Sequence, residues 1–419
     1  MSNKITEDQH YVPRSYLKNF ATVIGTGKKE KAFVSFYQFD GALLKEDIPT
    51  KSICYKSYFY GEDGKLEKDF SVREAKWAKV LTEIINMKSY DLTSDQEQQI
   101  KEFAVYQFCR TVATHNFVKS SAEELLTAHF TEQYHFASDD EIVREMIKKK
   151  VDDELKPALL IDICRELISA LDDLQVSVIH FNTTECLITS DMPVLVLNPF
   201  SVSGVGMAMV GVFIIIPISP HVAVAIYDQK VYTKCHAYME STNETDIMNL
   251  NKYQIVSSED RIISLTGENL QKTICYTDAL EQREKLKAQH KVDSSYDGFG
   301  TFFALHTRRI PYVFELSFCA LPKLIKRVPK ECRDLFPRAY TKEAWFKLLV
   351  QEYRIPDLLK NEHKMDSQTV AERKKGYSNL RTYLENYWEI PIKERTISPT
   401  LMRKIKTCHA TPFPVTYKR

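Results

Sequence analysis

Residues 205–226 read VGMAMVGVFIIIPISPHVAVAI, an apolar run long enough to cross a bilayer as a helix. Pro217 and Pro220 stand in its middle, and His221 follows. Each proline removes a backbone donor and frees a carbonyl that hydrocarbon cannot hydrate. Two buried strands, 210–216 and 222–227, joined by a Pro217-Ile218-Ser219-Pro220 turn, satisfy the same backbone without that cost. The expectation is a chain built around a buried sheet, with no membrane partner.

The rest of the sequence supplies company for that sheet. Residues 32–39 alternate and are rich in aromatics, and Asp40-Gly41 follows as a hairpin signal. Residues 53–60 read as another strand, closed by the turn at 61–64. A helical block follows from about 65 to 174. There Ser94 and Glu97 have the spacing of a capping box, opening a helix that runs on through 103–117. Further helices are expected at 122–130, 140–150 and 158–174, giving a bundle of four to five members. From 175 to 320 the strand patterns return at 176–181, 186–189, 210–216, 222–227 and 311–318. Residues 245–256 read as an intervening helix and 281–291 as a solvated one. Beyond 321, Pro322, Pro329 and Pro337 stiffen the entry to two helical patterns, 341–353 and 367–388. The predicted architecture is α+β: a helical bundle (about 65–174) packed against a mixed sheet, with an N-terminal strand pair. Residues 1–320 form the core and 321–419 a helical extension with a basic tail.

Charge gives little direction for the whole molecule, since 57 basic residues stand against 56 acidic ones. The exception is 391–419, where seven basic residues face one acid, a segment able to contact phosphates or simply to stay solvated. The nine cysteines show no metal-knuckle or redox spacing, which fits reduced thiols in the cytoplasm. The start, MSNKITEDQHYV, lacks an apolar leader core, so no secretory signal is expected.

Four groups of residues can carry chemistry. The first is Gln9-His10-Tyr11-Val12-Pro13-Arg14, where a histidine just before a proline-started helix can sit at the positive end of the dipole. There its neutral form is favoured and can act as a base; alternatively, Gln9 and His10 tie the segment down by hydrogen bonds. The second is Arg110 with His115 downstream. Four intervening residues match the spacing of HEPN-type ribonucleases, a weak signal in any long helix, and Arg110 is the better site residue. The third is Glu67 and Glu74, seven apart and so on one helix face, able to hold a cation or to pair with Arg14 and Arg110. The fourth is Thr189-Ser190-Asp191-Met192-Pro193 with Ser219 and Asn251 downstream, an acid and hydroxyls at a strand end where ligands collect. Its plainer reading is an Asx turn. No Gly-x-Ser-x-Gly elbow supports a serine nucleophile, and no metal cage or cofactor motif stands in the chain.

These groups carry a family likeness. Gln9-His10, Val12-Pro13, the Tyr16-Leu17-Lys18-Asn19-Phe20 run, the paired acids, Arg110-Thr111, Thr189-Ser190-Asp191-x-Pro193 and Pro217-x-Ser219-Pro220 occur in order. In this the chain resembles the bacterial domain-of-unknown-function 4238 family. Val112 stands where that family tends to carry proline after Arg-Thr. The resemblance implies a single-gene anti-phage defence protein and leaves cofactor, trigger and reaction open. Read chemically, the groups suggest a nuclease acting on RNA or DNA: His10 as base, Arg110 stabilising phosphate charge, Asp191 orienting His10 or holding a metal. Gln9, Arg14, Glu67, Glu74, Ser190, Ser219 and Asn251 would line the site. The rival reading is a non-catalytic sensor or binding module in which the same residues form a structural network. Burial discriminates between them.

Overall fold

The apolar run folds as the centre of a sheet. The computed structural model describes residues 7–319, apart from 90–91, 135–139, 199–206, 208–210, 230–231, 233–234, 288–291, 297–300 and 306–309. Within it β9 (Phe213–Ser219) and β10 (Val222–Tyr227) form an antiparallel hairpin in which every residue is buried. The turn is tighter than the sequence suggests. Pro217, Ile218 and Ser219 belong to β9, and only Pro220 and His221 make the turn. Proline is tolerated inside this strand because the register shifts there: Ala223 pairs with Pro217 and Val222 with Ser219, leaving Ile218 extra. β6 (Gln175–Phe181), β8 (Leu195–Leu197) and β11 (Tyr238–Ser241) complete a sheet in the order β11-β6-β10-β9-β8, parallel only between β11 and β6.

Side-chain parity divides this sheet between two cores. Ile214, Ile216, Val222, Val224 and Ile226 face a core shared with the N-terminal segment and the helical block. Phe213, Ile215, Ala223, Ala225 and Tyr227 face a second core, built with α7 (Glu244–Ser257), α8 (Gly267–Thr273) and α9 (Thr277–Lys287). Cover on both faces explains why β8, β9 and β10 are predominantly apolar and not alternating.

A second sheet orders β2 (Thr22–Ile24), β3 (Lys31–Gln38), β12 (Arg261–Ser264) and β7 (Thr189–Ser190), with β4 (Leu43–Pro49) hairpinned onto β3 through the expected Asp40-Gly41 turn. The strand expected over 53–60 shrinks to β5 (Tyr55–Ser57), which pairs with β1 (Asp8–His10). Residues 311–318 form no strand; they run irregularly into a short turn of helix at Ser317–Cys319. Their apolar side chains, Phe314, Leu316 and Phe318, pack into the second core without a ladder.

The helical block comprises α2 (Lys65–Ile85), α3 (Ser94–Cys109), α4 (Val112–Tyr134), α5 (Glu141–Glu154) and α6 (Pro157–Ser169), in agreement with the α+β class expected. Two local expectations change. The capping box lies one residue earlier: Thr93 accepts from the Gln96 N–H (3.3 Å) and the Gln96 side chain accepts from the Thr93 N–H (2.8 Å). Thr93→Ala is expected to lower stability by about 1 kcal/mol in chemical denaturation. More consequentially, the helix expected through 103–117 breaks. Arg110 caps α3 and α4 starts at Val112, so Arg110 and His115 lie on different helices. α9 is also less solvated than expected, for Arg283 is buried with its guanidinium 3.9 Å over the Phe39 ring. The helical patterns at 341–353 and 367–388 and the basic tail fall outside the described residues. Among the described residues, no helix is long and apolar enough to cross a membrane.

Candidate functional site

The break after α3 delivers Arg110 into the N-terminal segment. Its side chain is 1 % exposed and each of its three nitrogens is used: Nε donates to the Tyr60 hydroxyl (2.9 Å), Nη1 to Glu74 (2.7 Å) and Nη2 to the main-chain carbonyl of His10. The guanidinium plane lies 4.0 Å over Phe70 and 5.5 Å over Tyr60. Tyr60 returns a hydrogen bond to the same His10 carbonyl (3.2 Å). Gln9 is fully buried, accepting from the Tyr60 N–H (2.6 Å) and donating to the Gly61 carbonyl (2.9 Å). Gln107 donates to the Tyr11 carbonyl (3.0 Å). The Gln-His motif is thus clasped to the helical block through its main chain. A guanidinium closed off in this way has no face left for a phosphate.

The clasp is built on strained backbone. Cys54 and Tyr58, which bracket β5, both have positive φ (54° and 49°), a conformation costing non-glycine residues about 1–2 kcal/mol each. The β1–β5 ladder holds them, extended by Tyr11 N–H to the Cys54 carbonyl and Tyr58 N–H to the Glu7 carbonyl. Such strain persists only where surrounding contacts over-determine it.

The His10 ring lies on the other side of this main chain. It packs against Tyr55, centroids 5.6 Å apart, and its Nε2 is buried without a hydrogen-bond partner. Burial, and next the charge of Arg14, hold its pKa below the usual imidazole value, so the ring is neutral at physiological pH. The cause differs from the one expected, because His10 ends a strand and is not at a helix N-terminus. The Lys51 main chain, and not Asp191, supplies the hydrogen bond that favours its protonated form.

Glu67 and Glu74 do share a face of α2, as their spacing predicts. Glu74 pairs with Arg110, while Glu67 is raised above the usual carboxylate pKa by burial and then by the Glu74 charge. Arg14 is exposed.

Asp191 serves a separate set of bonds. Its carboxylate, 4 % exposed, accepts from the N–H groups of Glu259 (2.9 Å), Asp260 (2.8 Å) and Arg261 (3.0 Å). Burial pushes its pKa up to about 6 against the pull of those three donors. No hydrogen bond joins Asp191 to His10 or Arg110. Ser190 donates to Gln254 (2.7 Å) and accepts from the Met192 N–H (3.1 Å). Asn251 bridges the Ile188 N–H and the Cys186 carbonyl, both at 2.9 Å, and Ser219 accepts from the His221 N–H (3.4 Å). These side chains lock α7 and the turn before β12 onto the strand ends.

The residues brought together fall within residues 8–268, which match the sequence profile of a family described as a protein of unknown function, DUF4238. The match covers more than half of the chain. The chain belongs to the DUF4238 family. No curated protein and no solved structure matches it. In this DUF4238 chain the hubs that sequence reasoning passed over are Tyr60, Gln254 and the Tyr16 hydroxyl, which accepts from Thr189 (2.7 Å) and donates to the Pro217 carbonyl. Tyr60 was hidden in an aromatic strand pattern, and Gln254 in a helix whose faces are nearly all buried. Only the grouping of the Pro217-x-Ser219-Pro220 and Thr189-Ser190-Asp191 elements as one candidate site hinted that those segments meet.

Proposed function

We propose that this DUF4238 protein is a cytoplasmic single-gene anti-phage defence protein that works as a sensor or binding module, its polar motif residues forming the frame that holds the recognition surfaces. The defence role is supported by the resemblance of its motifs to a family with members of that kind. The non-catalytic reading is carried by one observation: the side chains of Arg110, Gln9 and Asp191 are closed from solvent and paired within the protein. Catalytic groups must touch a substrate, and a fully satisfied buried network serves as structure.

A second reading rests on the His10 ring. A neutral imidazole whose Nε2 has no partner can accept a proton, as the base of a nuclease would. The two readings separate cleanly, because the clasp grips the carbonyl of His10 and not its side chain. Plaquing efficiency is therefore to be compared on cells carrying an empty vector, the wild type and His10→Ala, with soluble protein levels matched. The binding-module reading expects equal protection from both proteins. Loss of protection in His10→Ala alone supports the nuclease, and absence of protection by the wild type overturns the defence role.

A further inference from the structure

Away from the clasp, α4, α5 and the end of α9 enclose an open groove of about 510 Å³, lined among others by Asn116, Phe117, Lys119, Lys148, Glu259 and Lys287. Its cations are incompletely neutralised. Lys119 forms an ion pair with Asp152, but Lys148 and Lys287 are exposed and have no ion-pair partner among the described residues. More positive charge stands behind the groove. Lys119, Lys56 and Lys156 all act on the His115 ring, and Lys119, Lys148 and Lys156 all act on Asp152. The nearby acids are Asp152 and the groove residues Glu123 and Glu259, and Glu259 is engaged by the Asn116 amide at 3.0 Å. Three lysines and two glutamates thus line the groove, with Lys119 paired to Asp152 and a half-buried aromatic ring, Phe117, beside them. The same neighbourhood holds a buried polar atom with no partner, Nδ1 of His115.

We propose that this groove binds a phosphate-bearing nucleic-acid ligand, a nucleotide or a single strand, with Lys148 and Lys287 on phosphate and Phe117 against a base. The chemistry is that of single-strand sites, where cations follow the backbone and an aromatic face stacks with any base. Lysine suits the phosphate role as a mobile point charge. Two lysines on separate helices, facing one groove, set a span for phosphates and not a bidentate grip on a single carboxylate. The proposal deepens the binding-module reading, on which it rests, by naming the ligand class.

The test is fluorescence anisotropy of the full chain with labelled RNA and DNA strands of roughly 12 nucleotides, a length spanned by common single-strand sites. ATP is titrated as an unlabelled competitor. Lys148→Gln with Lys287→Gln changes only exposed side chains, so the variant is expected to fold, checked by circular dichroism. Each lost phosphate contact lowers the logarithmic salt slope by about 0.7 and, in roughly 0.1 M salt, affinity about fivefold. The double variant should therefore bind about 25-fold more weakly with a slope shallower by about 1.4, while His10→Ala binds as the wild type does. Lysine-dependent competition by ATP identifies a nucleotide as the ligand, and its absence identifies a strand. No binding by the wild type, or equal binding by the double variant, overturns the proposal. In either case protection in the plaque assay leaves the defence reading standing with a different recognition surface.

Discussion

Replacing Arg110 with methionine is expected to lower the free energy of unfolding by about 3–5 kcal/mol, the range for breaking a buried ion pair from one side. The variant keeps a similar apolar stem but removes the donors to Tyr60, Glu74 and the His10 carbonyl together. Glu74 is partly exposed and can recover solvation, so its share of the loss is moderate. The Tyr60 hydroxyl and the His10 carbonyl lie inside, and leaving buried polar groups unpaired costs about 1–3 kcal/mol each. The guanidinium also leaves the faces of Phe70 and Tyr60. Arg110→Lys should recover little, because an ammonium cannot reproduce three bonds in a fixed fork. Urea denaturation with a shared slope checks both variants, and a loss below about 1 kcal/mol contradicts the clasp.

Asp191→Asn should change how stability depends on pH. The ordinary aspartate pKa is about 3.9, while burial raises Asp191 to about 6 in the folded chain. Between these values the folded state holds a proton that the unfolded chain has released. Stability contributed by this group therefore falls as pH rises from about 4 to about 6, by about 3 kcal/mol for two units. Asparagine cannot titrate, and it turns an NH₂ group towards three N–H donors, costing a further 1–3 kcal/mol, roughly. The wild type should thus be the more stable protein throughout, and its lead should grow by about 3 kcal/mol on acidification from pH 7 to about pH 4. Taking the difference between the two proteins removes the effects of His10 and His115, which titrate in both. A lead that stays constant with pH contradicts a raised Asp191.

The fold class could be read in the sequence because its strongest signals are burial signals. Two prolines in an apolar run excluded a spanning helix, and the β9–β10 hairpin follows from that. The turn itself was misplaced, since the bulge that accommodates Pro217 depends on the register with β10, which no local pattern encodes. The helix over 103–117 failed for a related reason. Nothing in Arg110-Thr111-Val112 is a helix breaker; the chain turns there because Thr111 and Thr114 hydroxyls take up the Phe108 carbonyl (3.2 and 2.6 Å) and Arg110 finds its partners 36 to 100 residues away. That turn separates Arg110 from His115 and dissolves the spacing the sequence offered.

The motif residues themselves stood out, but their roles did not. Gln9, His10 and Arg110 meet, yet through the His10 carbonyl and without the Asp191 expected beside them, and sequence carries no mark of which part of a residue is used. Ser190 and Ser219 each accept from the N–H two residues on, as local polar turns do. Asp191 instead binds N–H groups 68 to 70 residues away and Asn251 bridges Ile188 and Cys186, so the Asx turn expected at Asp191 gives way to long-range bonds. The lysine groove was invisible for a different reason: its charges come from α4, α5 and α9, the last more than a hundred residues along the chain from the other two, in a chain whose overall charge is only +1.

Equilibrium unfolding of His10→Ala beside Arg110→Met, in one buffer, tests the clasp most directly. Removing the His10 ring deletes an orphaned nitrogen, one aromatic contact and the bond to the Lys51 main chain but leaves the gripped carbonyl in place. The account predicts a loss within about 1.5 kcal/mol for His10→Ala, against about 3–5 kcal/mol for Arg110→Met. Equal large losses in the two variants would contradict it, because the ring would then hold the motif together and the carbonyl would not.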